Sequence, residues 1–157
     1  MLLLKLYLFL SLIVNCVMGY LVFVKGRKSR KLFSDRFAII SSTLYSTSLC
    51  FTIGLHLFLL LQDKSSAIII STVIIGAIIG TCIGALETFK SLLIGYFHGM
   101  TAALMGTMLG AILVDPSLCR LPSLYSLQIE QNIIGMSVFI TLLTTVTFGL
   151  LLASFRV

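Results

Sequence analysis

His98, Thr101, Met105 and Met108 follow one another at spacings of three, four and three residues, which puts an imidazole, a hydroxyl and two thioethers on one face of a helix. Met100 stands close by, and Met136 belongs to a later apolar run. Thioether and imidazole are donors that suit Cu(I), so a metal site on the His98, Met105 and Met108 face is one reading. Methionine is also an ordinary apolar filler. Neither a thiolate pair nor a repeated Met-x-x-Met accompanies these residues, so packing is the other reading.

The second histidine, His56, ends a row of Ser41, Tyr45, Ser48, Thr52 and His56, spaced by four, three, four and four. Ser137, Thr141, Thr144, Thr145 and Thr147 form a second row, and Asn15 is a further polar group. Such groups can line a polar path, tie helix to helix, or bond back to the preceding turn's carbonyl. A lone imidazole inside a membrane is satisfied by a hydroxyl on a neighbouring helix, and marks a site by default. In helices entering from opposite sides, His56 and His98 fall roughly 15–18 Å apart in depth, so they are not expected to share a ligand.

Other chemistry finds little support. No nucleotide loop, zinc-protease motif, nucleophile elbow or pair of carboxylates is present. No charged side chain lies deep in an apolar run, as ion-coupled transport usually needs. Glu87 and Lys90, spaced i, i+3, make a surface pair at a turn. Cys16, Cys50, Cys82 and Cys119 form no C-x-x-C and read as small apolar fillers; Cys16 and Cys50 fall at similar depth, where contact is geometrically open. The expectation is a protein that is not an enzyme and takes no cofactor.

The elements that must position these groups are membrane spans. Residues 6–24, 37–62, 65–86, 91–114 and 131–155 contain no charge, and a helix needs roughly 17–25 apolar residues to cross the hydrocarbon. Only 10% of the chain is charged, against 59% hydrophobic. Barrel strands would alternate polar and apolar, whereas Ile68-Ile69-Ile70 and Leu57 to Leu61 do not. The fold class is therefore all-α: one integral membrane bundle over residues 1–157, with spans at about 6–24, 37–61, 66–86, 91–114 and 132–154.

The formal charge of +6 is not a nucleic-acid footprint. Lys25, Arg27, Lys28, Arg30, Lys31 and Arg36 crowd one loop, opposed only by Asp35. By the positive-inside rule this loop is cytosolic, so the amino end is outside and the carboxyl end cytosolic. Lys25, Arg27, Lys28, Arg30 and Lys31 also form a surface for anionic lipid. The run 6–24 reads as a retained span, since the charge follows it rather than precedes it.

Two of these helices carry small residues in register. The third span has Ala67, Ser71, Gly76, Gly80 and Gly84; the fourth has Gly95, Gly99, Ala103, Gly106 and Gly110. A turn about residues 88–89 pairs Gly84 with Gly95, Gly80 with Gly99, Ser71 with Gly106 and Ala67 with Gly110. Close backbone approach of this kind is what holds helices together in lipid. In the longer connection, 115–130, Asp115-Pro116 starts a short segment in which Leu118, Leu121, Leu124 and Leu127 repeat. It fits a segment lying on the outer membrane surface or a lid.

The stretch Gly95-Tyr-Phe-His-Gly-Met-Thr-Ala-Ala-Leu-Met-Gly-Thr-Met-Leu-Gly110 resembles a Gly/Met-rich helix of small, uncharacterised multi-spanning membrane proteins of Gram-positive bacteria. The resemblance covers one span and implies a helical bundle in a bacterial cytoplasmic membrane. The expected role is a non-enzymatic accessory or scaffold component, in contact with membrane lipids and with itself or a larger membrane complex. The alternative is a small permease or channel for a metal ion or solute, using the His98, Met105 and Met108 face.

Overall fold

A computed structural model describes residues 2–29, 35–61, 65–86, 89–115 and 129–155. They form five α-helices: α1 (Leu2–Ser29), α2 (Asp35–Leu60), α3 (Ser65–Gly84), α4 (Phe89–Val114) and α5 (Ile129–Ser154). All five are long and apolar enough to cross a membrane. Arg30, Lys31, Glu87, Cys119 and most of the 115–130 connection lie outside the described residues.

Four helices run further than their uncharged cores. α1 takes in Lys5 at one end and Lys25, Arg27 and Lys28 at the other. Lys and Arg are good helix formers, and Arg27 and Lys28 in the last turn oppose the negative end of the helix dipole. At about 1.5 Å per residue, α3 spans roughly 30 Å, the hydrocarbon thickness, and the others protrude past it.

Polarity is inverted relative to a protein in water. Leu3, Phe9, Ile70, Ile78, Met105 and Leu142 are exposed, while Asn15, Ser42, Ser46, Thr52, His56, Ser91, Thr107 and Ser137 are buried. A soluble chain avoids so continuous an apolar exterior. With lipid as the solvent, apolar side chains face outward without penalty and polar ones are kept within the bundle.

Helices alternate in direction. Gly26, Phe37, Leu86, Ser91 and Phe155 gather at one end, where Phe37 and Phe155 meet edge to face with centroids 6.2 Å apart. Leu4, Tyr7, Leu59, Leu113 and Ile133 gather at the other. The first is the basic end, carrying Lys25, Arg27, Lys28, Arg36 and Lys90.

α2 is the axis. Over half of its span (56%) is buried, against 28–33% for the others, because it packs on all four neighbours. α3 and α4 cover one side of it, and α1 and α5 cover the other.

The α3–α4 side is a glycine seam. A methyl on Gly80 would fall onto the Gly95 carbonyl oxygen, and one on Gly95 would come within 2.5 Å of the Gly80 oxygen. Gly76 and Gly99 oppose each other in the same reciprocal way, and Gly84 lies against Ser91 and Leu92. A Cα–H of each glycine thus points at its partner's carbonyl, a weak hydrogen bond worth about 0.5–1 kcal/mol.

The expected pairing is corrected in both halves. Near the turn the closest contacts are displaced by one helical turn: Gly80 is closest to Gly95 rather than Gly99, Gly99 to Gly76, and Gly84 to Ser91 and Leu92 rather than to Gly95. Gly106 lies on the Phe51 carbonyl of α2 and Gly110 on the Phe58 ring, not on Ser71 and Ala67 of α3, which are both exposed. The changeover is at Ala103, whose side chain meets Gly76 of α3 while its carbonyl meets Gly54 of α2. Crossing helices bring α2, rather than α3, under the far half of the same α4 stripe.

Candidate functional site

His56 sits in the other seam, between α2, α1 and α5, and is 0% exposed. It occupies one end of the polar row on α2, and the row turns inward because the opposite face of α2 is taken up by α4. Its Nδ1 is 2.9 Å from the Thr52 carbonyl. A carbonyl only accepts, so the proton of the neutral ring is on Nδ1 and Nε2 presents a lone pair.

Two hydroxyls converge on that lone pair: Ser137 Oγ of α5 at 3.0 Å and Ser11 Oγ of α1 at 3.1 Å. Ser11 Oγ also lies 2.8 Å from Thr141 Oγ1. The Thr141 hydroxyl donates back to the Ser137 carbonyl at 2.8 Å, so Ser11 donates to Thr141 and Ser137 donates to His56. Asn15 Nδ2 completes the group, donating to the Ser11 carbonyl at 2.8 Å and to Thr141 Oγ1 at 3.3 Å.

The row continues toward the basic end. Thr52 and Thr144 hydroxyls meet at 2.9 Å and the Tyr45 hydroxyl donates to the Gly19 carbonyl at 2.6 Å, while on the opposite side of α2 Ser42 donates to the Ser91 carbonyl of α4 at 3.4 Å. Tyr45 also meets the Phe148 ring edge to face at 5.5 Å. Thr52 and Thr144 each donate to a carbonyl of their own helix as well, Ser48 at 2.8 Å and Ile140 at 2.7 Å. Two hydroxyl protons therefore serve three bonds. Among the described residues, no buried side-chain nitrogen or oxygen lacks a partner.

The site contains the elements of a base and a hydroxyl: an imidazole held by a carbonyl, with its free nitrogen on a serine. Both His56 and Ser137 are fully buried. No substrate atom can approach within ~3 Å of Ser137 Oγ in this arrangement, as nucleophilic attack requires. What the cluster does here is bind three helices at one level.

The residues singled out in the sequence separate. Ser41, Tyr45 and Thr52 of the α2 row are buried with His56, and Ser48 is half-buried. Of the α5 row, Ser137, Thr141 and Thr144 join the seam. Thr145 and Thr147 bond back to carbonyls of their own helix, Thr145 to Thr141 and Thr147 to Leu143 and Thr144.

His98 is half-buried beside the Phe97 ring, and Met105 and Met108 are exposed on the outside of α4 (64% and 55%). The structure does not bring these three to His56. Among the described residues, no three or more His, Cys, Asp or Glu stand close enough to hold a metal ion. Cys16 and Cys50 do not pair: Cys16 is exposed and Cys50 is buried, its thiol 3.6 Å from the Gly76 carbonyl of α3.

Sequence reasoning did not name Ser11 or Gly54. A serine four residues before Asn15 gives the signal for the first. The second is a small residue two before His56, on the opposite face of α2. Comparisons with protein-family models, curated proteins and solved structures give no match for this chain.

Proposed function

We propose that this chain is a non-enzymatic accessory or scaffold component of a bacterial cytoplasmic membrane, with its basic end in the cytosol. One observation supports this reading most: the polar groups of the core are taken up by one another. His56, Ser11, Ser137, Asn15, Thr52 and Thr144 all end on protein atoms of neighbouring helices. A transport path instead presents polar groups to water or to a solute. Glycine contact closes most of the opposite side, where Ser42 and Cys50 likewise end on the Ser91 and Gly76 carbonyls. A bundle built this way offers its neighbours an apolar exterior of fixed shape, which is what an assembly partner packs against.

The permease alternative places the His98, Met105 and Met108 face at work. That face points outward, so a second chain would have to complete any ligand set. Extraction in mild detergent followed by native mass spectrometry distinguishes the two. The accessory reading expects an assembly larger than the 17.2 kDa chain, lost in Gly80→Leu and retained in His98→Ala and Met105→Ala. A metal bound by the wild type and lost in both His98→Ala and Met105→Ala would replace that reading with the permease. Labelling of a Lys28→Cys variant from the cytosolic side alone checks the orientation, and labelling from outside would reverse it.

A further inference from the structure

At the opposite end from His56, α2 and α5 border a groove. They touch through Ser137 and Thr144, through Tyr45 and Phe148 and again through Phe37 and Phe155, and beside these contacts leave an apolar groove of about 330 Å³ between Ile40 and Leu44 on one wall and Leu150 and Leu151 on the other. Each wall is a single helical stripe, from Phe37 to Leu44 and from Thr147 to Ser154. Seven residues of rise make the groove about 10 Å long, within the ~15 Å depth of one leaflet's hydrocarbon.

The end of the groove at Phe37 lies beside charge. Arg36 is exposed, and it sits one turn before Ile40, a rim residue that is 57% exposed. It also belongs to the first turn of α2, where the helix dipole favours an anion. Lys25, Arg27, Lys28 and Lys90 lie at the same end.

We propose that this groove seats one acyl chain of an anionic phospholipid whose phosphate rests on Arg36. The proposal rests on the membrane reading above, and it gives the basic end a specific lipid rather than a diffuse attraction. An acyl chain suits the groove better than a partner helix. The groove runs only about two helical turns, and an apolar partner helix would bring nothing to Arg36 at its basic end, whereas a phospholipid brings a phosphate. Any cleft open to a bilayer takes up some acyl chain, and Arg36 supplies the choice of headgroup. Close to the surface, one Arg is worth about 1 kcal/mol toward an anionic lipid, roughly a fivefold preference.

The chain contains no tryptophan, so a single introduced indole reports its own surroundings. The test uses Leu150→Trp at the groove rim and Ile74→Trp on the exposed face of α3, each in phosphatidylcholine vesicles with a minor fraction of brominated phosphatidylglycerol or brominated phosphatidylcholine. For L150W, brominated phosphatidylglycerol should quench about twofold or more better than brominated phosphatidylcholine, and Arg36→Gln should abolish the difference. For I74W, the two lipids should quench equally. Equal quenching in L150W with Arg36 present overturns the proposal. So does an equal anionic preference at I74W, which would be general enrichment. An L150W indole that neither lipid reaches, beside a normally quenched I74W, means that protein covers the groove and also overturns it. Absence of quenching at both positions would sink the membrane reading itself, a separate outcome.

Discussion

The two sides of α2 are held by different means. Toward α3 and α4, backbones approach until no Cβ fits: Gly80 meets Gly95, Gly76 meets Gly99, and Gly54 meets Ala103. Toward α1 and α5, side chains reach across through His56, Thr52 and Tyr45. The first side is rigid because steric overlap is steep, and a single added carbon forces the helices apart. The second is forgiving, since hydroxyls released from one partner have a carbonyl of their own helix to fall back on. In lipid an interhelical hydrogen bond is worth only about 0.6 kcal/mol on average.

The largest effect should come from the glycine side. Gly80→Ala is expected to cost about 2–3 kcal/mol and Gly80→Leu to leave no folded bundle, measured by detergent-denaturation monitored with circular dichroism. An unchanged midpoint for Gly80→Ala would mean that α3 and α4 are not in contact there. Next comes His56→Ala, expected to cost about 2 kcal/mol through lost bonds and a cavity. A double-mutant cycle with Ser137→Ala should give a coupling of about 0.6 kcal/mol and not above about 1.7. Zero coupling would deny the 3.0 Å contact.

Thr144→Val removes one hydroxyl from a set already short of protons, so a loss of about 0.5 kcal/mol is expected. A loss as large as that of Gly80→Ala would erase the contrast between the two sides. The smallest change should be a gain. A methyl added at Gly149 would meet nothing within 4 Å, so Gly149→Ala should raise stability by up to ~1 kcal/mol through helix propensity alone. A destabilised Gly149→Ala would reveal a contact on the outer face of α5.

Much of this architecture is legible in the residues themselves. The uncharged runs mark all five helices, and the four-residue turn ahead of Ser91 forces α3 and α4 together, so their glycine stripes can be set face to face, in a register that the structure shifts by one turn. Adjacency along the chain goes no further than that. Gly106 and Gly110 share a stripe with Gly95 and Gly99, yet a stripe names a face and not the helix that will lie on it. The same limit hides the site. His98 stands out by its methionines, whereas His56 acquires its meaning from Ser11 and Ser137, forty-five and eighty-one positions away. The groove beside Arg36 is invisible for a related reason, because its two walls, Phe37 to Leu44 and Thr147 to Ser154, lie far apart in the chain.

The central place of α2 has a consequence for how the chain is made. It is the least apolar of the five spans, and it leaves the ribosome second, when α1 is the one neighbour available. Tyr45 to Gly19 and His56 to Ser11 need only that neighbour, so these two links can shelter part of the polar row at once. The remainder waits for α5, the last of these five to be translated, to bring Ser137 and Thr144. A nascent chain halted before α5 would leave the imidazole with Ser11 as its one donor, whereas in the finished protein Ser137 donates to it and Ser11 turns to Thr141.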